Sequence, residues 1–168
     1  MDQITVRALA KINLGLDVLG KREDGYHEVR MVMQTVNLFD TLEITRTSGA
    51  GVTMETNRHF LPVDDNNLCV RAAKLMQEEF DLSGGLHIRL FKRIPVAAGM
   101  AGGSSDAAAV LFGLNRMYGL GLTRRELMRR GVSLGADVPY CVMRGTALAE
   151  GDRREAAPAA CHGKVSGA

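Results

Sequence analysis

Between Pro95 and Ser105 the chain sets out residues that leave its own backbone exposed. Pro95, Val96, Ala97, Ala98, Gly99, Met100, Ala101, Gly102, Gly103, Ser104 and Ser105 follow one another, and Met100 is the one long side chain among the glycines and alanines. Glycine takes positive φ at little steric cost, so successive N–H groups can converge into a nest for an anion. A helix opening at Ser104-Ser105 turns the positive end of its dipole toward the same point. A glycine-rich loop running into a helix N-terminus is a phosphate-binding arrangement. Either hydroxyl, Ser104 or Ser105, fits contact with a phosphate oxygen or a phosphate-bound metal. A second glycine pattern, Gly15-Leu-Asp-Val-Leu-Gly-Lys-Arg22, nearly matches a P-loop. There Arg22 stands where the magnesium-binding hydroxyl belongs, and no helix follows, so the match is one of chance.

The elements that must position this loop are legible in the periodicity. Residues 3–9 and 12–19 alternate as strands, with Lys11 between them, and a polar loop runs from Gly20 to His27. Strand character returns over residues 29–46, with a turn or kink predicted at Asn37 to Asp40, and a weaker strand at Gly51–Glu55. Asp64-Asp-Asn-Asn67 opens a helix whose Leu68, Ala72, Leu75, Met76 and Phe80 share a face. Leu86, Ile88 and Leu90 then alternate as a strand feeding the loop. The helix after the loop lines up Ala107, Val110, Leu111, Leu114 and Tyr118 and stops at Gly119 and Gly121. Thr123 with Glu126 forms a capping box for the next helix, which leaves at Gly131. Residues 138–149 are predicted as a strand. Strands first, then helix, strand, helix, helix and strand, is no strict βαβ alternation. It predicts an α+β fold with a mixed or antiparallel sheet.

Composition sets the outer limits. The 168 residues, 46% hydrophobic and 24% charged, suit one globular domain. A net charge of +2 gives no reason to expect nucleic acid or a membrane as partner. Cys69, Cys141 and Cys161 are odd in number and show no metal-ligand spacing, which predicts reduced thiols in a cytoplasmic protein and no protein-bound metal. No stretch resembles a signal peptide or reaches transmembrane length.

Pro95-Val-Ala-Ala-Gly-Met-Ala-Gly-Gly-Ser-Ser-Asp-Ala-Ala-Ala109 resembles the nucleotide loop of the galactokinase, homoserine kinase, mevalonate kinase and phosphomevalonate kinase (GHMP) superfamily. Ala10-Lys-Ile-Asn-Leu14, Gly25-Tyr-His27 and Leu134-Gly-Ala-Asp-Val-Pro139 narrow the resemblance to its 4-diphosphocytidyl-2-C-methyl-D-erythritol kinases. Four motifs in order, over roughly residues 5 to 151, carry it. The resemblance implies a GHMP kinase N-terminal domain of the ribosomal-protein-S5-domain-2-like kind, with a mixed or antiparallel sheet and helices on one side. It implies phosphoryl transfer from ATP, with Mg2+, to a hydroxyl of the methylerythritol part of a cytidine diphosphate ester, in non-mevalonate isoprenoid synthesis. By motif, Asp137 corresponds to the catalytic carboxylate and Lys11 to its basic partner. Residues 95–105 correspond to the nucleotide site, Tyr26 and His27 to a cytosine-recognising pair, and Asn13 to a lining residue of the substrate site.

Two departures from the family pattern stand out. Ala97 and Ala98 occupy places where some members carry glycine. Family-like sequence stops near Glu150-Gly151, so the expectation is a domain over 1–151 followed by a disordered, non-family tail over 152–168. On that expectation the second GHMP domain is absent, through a frame shift or truncation, and the remaining piece has weak or no kinase activity. The alternatives are a nucleotide-binding fragment without catalysis, another small-molecule kinase of the superfamily, or a small α+β nucleic-acid-binding domain.

Overall fold

The computed structural model describes residues 1–21, 27–151 and 156–158. In chain order they form β1 (Gln3–Lys21), β2 (His27–Thr47), β3 (Val52–Thr56), α1 (Leu68–Phe80), β4 (Gly85–Phe91), α2 (Gly102–Tyr118), α3 (Arg124–Gly131), α4 (Val138–Met143), β5 (Thr146–Gly151) and β6 (Ala156–Pro158). The strands make one sheet in the order β3-β4-β2-β5-β6, with β1 also paired to β2. β3 and β4 run parallel and every other pair is antiparallel, so the sheet is mixed and the fold is α+β.

β2 organises the sheet. One of its edges pairs with β1 along nearly its whole length, from Gln3↔Thr45 to Lys21↔His27. Its other edge is shared: Thr41–Thr47 pair with β4, and Val29–Gln34 pair with β5. The core lies between the sheet and the helices. Val6 and Ala8 of β1, Met31, Met33, Leu42 and Ile44 of β2, and Leu86, Ile88 and Leu90 of β4 are buried in one cluster with Ala107, Val110, Leu111 and Leu114 of α2. Gly113 allows α2 to approach closely, since a Cβ there would come within 2.9 Å of Ile44 Cδ1 and 3.2 Å of Val6 Cγ2.

The helix ends follow their local chemistry. Asn67 caps α1, its side chain accepting from Cys69 N. Gly119, at φ 65°, ends α2 in the left-handed conformation. Thr123 and Glu126 form the expected capping box on α3.

Three expectations change. Lys11 does not sit between two strands: β1 is continuous, with a register shift between Leu9 and Lys11. Asn37 to Asp40 are not a turn, because β2 runs straight through them and the Asp40 carboxylate finds partners across the sheet. Residues 138–143 form a helix rather than a strand, and the strand begins only at Thr146. The short apolar run Val138–Met143 has no periodicity to decide between the two. Pro139, in the first turn of α4, supplies a φ already set for a helix.

Within the stretch expected to be a tail, Ala156–Pro158 pair with β5, Ala149 facing Ala156. Residues 152–155 and 159–168 lie outside the described residues. Among the described residues no helix is long and apolar enough to cross a membrane.

Candidate active site

The loop between β4 and α2 takes the conformation its composition allows. Positive φ recurs at alternate residues, 59° at Ala97, 73° at Gly99 and 56° at Ala101. Alternation of this kind turns successive amides toward one side and makes an anion nest. Two of the three positions carry alanine, which in the left-handed region is strained by roughly 1–2 kcal/mol. Ala97→Gly is therefore expected to raise unfolding stability by about 1 kcal/mol, after the greater chain entropy of glycine is allowed for. A urea titration of the two proteins checks this.

The loop walls a cavity of about 400 Å3. Residues 95–104 line it together with Asn66, Asn67, Lys92, Asp106 and Asp137. The two candidate serines part company here. Ser105 is buried and its hydroxyl donates to the Leu9 carbonyl at 2.6 Å, so its proton is committed to the fold. Ser104, one residue earlier, lines the cavity and faces any ligand the loop holds.

Lys11 reaches the same region through the bulge in β1. A bulge reverses the alternation of side chains, and here it leaves both Ala10 and Lys11 buried. The Lys11 amide donates to the Met100 carbonyl at 3.1 Å, tying the strand to the loop. Its ammonium donates to Asn13 Oδ1 at 3.2 Å. Asp137 lies just before α4 and its side chain makes no capping hydrogen bond. Among the described residues its carboxylate has no hydrogen-bond or ion-pair partner, and it lines the cavity half-buried. Lys11 and Asp137 make no direct ion pair. Both charges act on the Cys141 thiol, Asp137 raising its pKa and Lys11 lowering it, so both lie in that thiol's neighbourhood. Burial is the main force on that thiol and pushes its pKa up to about 12, which leaves it inert.

Tyr26 lies outside the described residues. His27 opens β2 opposite Lys21, and only its backbone is described. The structure therefore places Asp137 on the loop's cavity and Lys11 against the loop through its amide, with Asn13 in contact with Lys11 but not lining the cavity, and leaves the expected cytosine pair unplaced.

Beneath the loop lies a cluster that motif reading missed. Lys92 is 4% exposed. Its ammonium bonds to Asp40 Oδ2 and, at 2.8 Å, to Asp106 Oδ2. Asp40 Oδ1 also accepts the Ile94 amide at 2.8 Å, so β2 grips the segment that enters the loop. A Cβ on Gly102 would lie 3.0 Å from Lys92 Nζ, so any larger residue there would press on the cluster. Two carboxylates against one ammonium leave a buried excess of negative charge. Asp106 Oδ1 has no partner. Burial, opposed by Lys92 and reinforced by Asp40, raises the Asp106 pKa from 3.8 to about 7. The sequence signal was an acid within an otherwise apolar helix face, Asp106 beside Ala107, Ala108 and Ala109.

A raised folded-state pKa means that the folded protein holds a proton the unfolded chain has released. Stability from this group is full below about pH 4 and is lost as pH rises through about 7. Asp106→Asn keeps the shape and removes the titration. Its unfolding free energy is expected to vary less with pH between 4 and 7 than that of the parent chain, as measured by denaturant unfolding across that range.

Comparison with known proteins bears on the fold that carries this loop. Residues 67–145 match the GHMP kinases N terminal domain. A 4-diphosphocytidyl-2-C-methyl-D-erythritol kinase of Lachnospira eligens is 60% identical over 151 residues, covering 90% of this chain and 52% of the relative. One of Lachnoclostridium phytofermentans is 58% identical over the same shares. One of Brevibacillus brevis is 52% identical and covers 95% of this chain and 56% of its own length. The chain thus spans about half the length of the curated relatives it matches. A crystal structure of 4-(cytidine 5'-diphospho)-2C-methyl-D-erythritol kinase superposes with a TM-score of 0.81 at 39% identity, over 92% of this chain and 55% of that one. A mevalonate kinase structure, at 15% identity and a TM-score of 0.71, shares the fold over 89% of this chain and 54% of its own. The chain thus carries the fold of the GHMP kinase N-terminal domain, matched in sequence over residues 67–145 and in structure over 92% of its length.

Proposed function

We propose that this chain provides the nucleotide-binding half of an ATP-dependent kinase that phosphorylates a hydroxyl of 4-diphosphocytidyl-2-C-methyl-D-erythritol in non-mevalonate isoprenoid synthesis. One observation carries the reading: an unpaired carboxylate, Asp137, lines the same cavity as an anion nest. In this reading the amides of residues 97–103 and the Ser104 hydroxyl hold the phosphates of ATP. Asp137 orients the attacking hydroxyl and accepts its proton. Lys11, buried and close to the loop, offsets charge that builds on the transferring group. Phosphoryl transfer asks mainly for positioning and charge stabilisation, which such a set provides. The loop's amides and hydroxyl suit a metal-bound triphosphate, and Mg2+ arriving on ATP would neutralise its phosphate oxygens. Asn13, Tyr26 and His27 are assigned to the cytidine ester by the family motif. An aromatic face and an imidazole edge suit stacking on a base and hydrogen bonding to it. The partner is a small molecule and the setting cytoplasmic.

The test is a binding titration followed by turnover. The chain is expected to bind a non-hydrolysable ATP analogue and to phosphorylate the cytidine ester in preference to homoserine or mevalonate. Failure to bind the analogue overturns the nucleotide site. A second reading is nucleotide binding without catalysis. It is distinguished by analogue binding with no turnover of any of the three acceptors.

A further inference from the structure

A second cavity, of about 380 Å3, opens between α2, α3 and α4. It shares no lining residue with the nucleotide cavity. One wall is apolar, built from Phe112, Leu122, Leu127 and Val142. Phe112 is 45% exposed, a large ring left open between buried Leu111 and Gly113. Arg124 and Arg144 line the cavity as well.

These two arginines are held without a counter-charge. Arg124 donates to the Met143 carbonyl at 3.2 Å and Arg144 to the Arg7 carbonyl at 3.1 Å. Among the described residues neither meets a carboxylate. Arg144 is instead disfavoured in its charged form, first by burial and then by the like charge of Arg124. A guanidinium has five donors in a planar fork, so one bond to a carbonyl leaves most of each fork free.

The backbone at Arg144 points the same way. Its φ of 62° and ψ of 175° fall in a region that is essentially glycine's. The residue is locked there from both sides. Its amide donates to the Tyr140 carbonyl at 2.8 Å. Gly145 N donates to Thr35 Oγ1 at 3.0 Å, and the Gly145 carbonyl accepts both Thr35 N at 3.0 Å and the Tyr140 hydroxyl at 2.7 Å. The fold thus holds a residue with a long cationic side chain in a backbone conformation glycine would take freely, beside another cation and among the residues that line this cavity.

We propose that this cavity binds an organic phosphate ester, its anionic group taken by the forks of Arg124 and Arg144 and its apolar part lying against Phe112, Leu122 and Val142. Paired guanidiniums match phosphate oxygens in two-point contacts, and an anion between them removes their mutual repulsion. The apolar wall distinguishes an ester from free phosphate.

Calorimetric titration with inorganic pyrophosphate and with butyl diphosphate tests this in the full chain. The expected result is tighter binding of butyl diphosphate than of pyrophosphate. Arg144→Gly is the informative variant, because glycine suits that backbone and the protein should melt no lower than the parent. Binding of butyl diphosphate is expected to weaken at least tenfold in Arg144→Gly and in Arg124→Gln. Absence of binding by either probe overturns the proposal. So does binding that persists unchanged in both variants, which would place the probe elsewhere, the nucleotide loop included. Equal affinity for the two probes overturns the role of the apolar wall.

Discussion

Asp137→Ala is expected to slow phosphoryl transfer by about 10^2–10^4-fold, the range a positioned general base contributes. The affinity for an ATP analogue should stay within a few-fold of the parent, because the nest and Ser104 are elsewhere on the cavity wall. The unfolding midpoint should also stay in place. Asp137 stands at the N-terminal boundary of α4 yet makes no capping bond, so its loss leaves no amide stranded. The measurement is paired: turnover with the cytidine ester, and analogue titration on the same preparation. A variant that transfers phosphate at the parent's rate removes Asp137 from the mechanism. A variant that loses nucleotide binding as well would make it a binding residue instead.

The second large effect is on stability. Lys92→Met is expected to cost about 3–5 kcal/mol, the usual consequence of removing one partner from a buried ion pair. Methionine matches the length of the aliphatic stem, so packing is nearly preserved and the loss falls on charge. Asp40 and Asp106, 0% and 2% exposed, would face each other with no cation between them. Protonation relieves that repulsion, so the cost should shrink at pH 5 relative to pH 7.5. Denaturant unfolding at the two pH values reads both effects. A cost below about 1 kcal/mol at pH 7.5, the level of an exposed pair, would mean that the cluster holds nothing together.

These two residues differ in how they could be found. Asp137 comes from a short motif that resembles the family's, and the bend of the loop was legible because glycine and alanine restrict what a segment can be. Helix ends were legible for the same local reason: Thr123 with Glu126, Asn67 and Gly119 act within one turn of themselves. The cluster around Lys92 was not legible, because its partners are 52 and 14 residues away and no periodicity records a cross-sheet contact. For the same reason Asp40 reads as a turn residue when only its neighbours are considered. The inward turn of Lys11 depends on a one-residue bulge that alternation does not encode. Which serine faces the cavity was decided by the Leu9 carbonyl, 96 residues from Ser105.

The shared edge of β2 has a consequence for the order in which the chain assembles. The hairpin of β1 and β2 joins residues close in sequence and can form early. The pairing of Gln34 with Thr146 closes a separation of 112 residues. Closing so long a loop carries an entropic cost before any contact rewards it, and topologies rich in such pairs fold slowly. On a ribosome, Val29–Gln34 therefore emerge with one side unsatisfied and stay so until β5 is made. An open strand edge is a template for pairing with another chain. The hazard is greatest while α2 to α4 are being synthesised, so a pause over that stretch would favour aggregation more than one of equal length placed after Gly151.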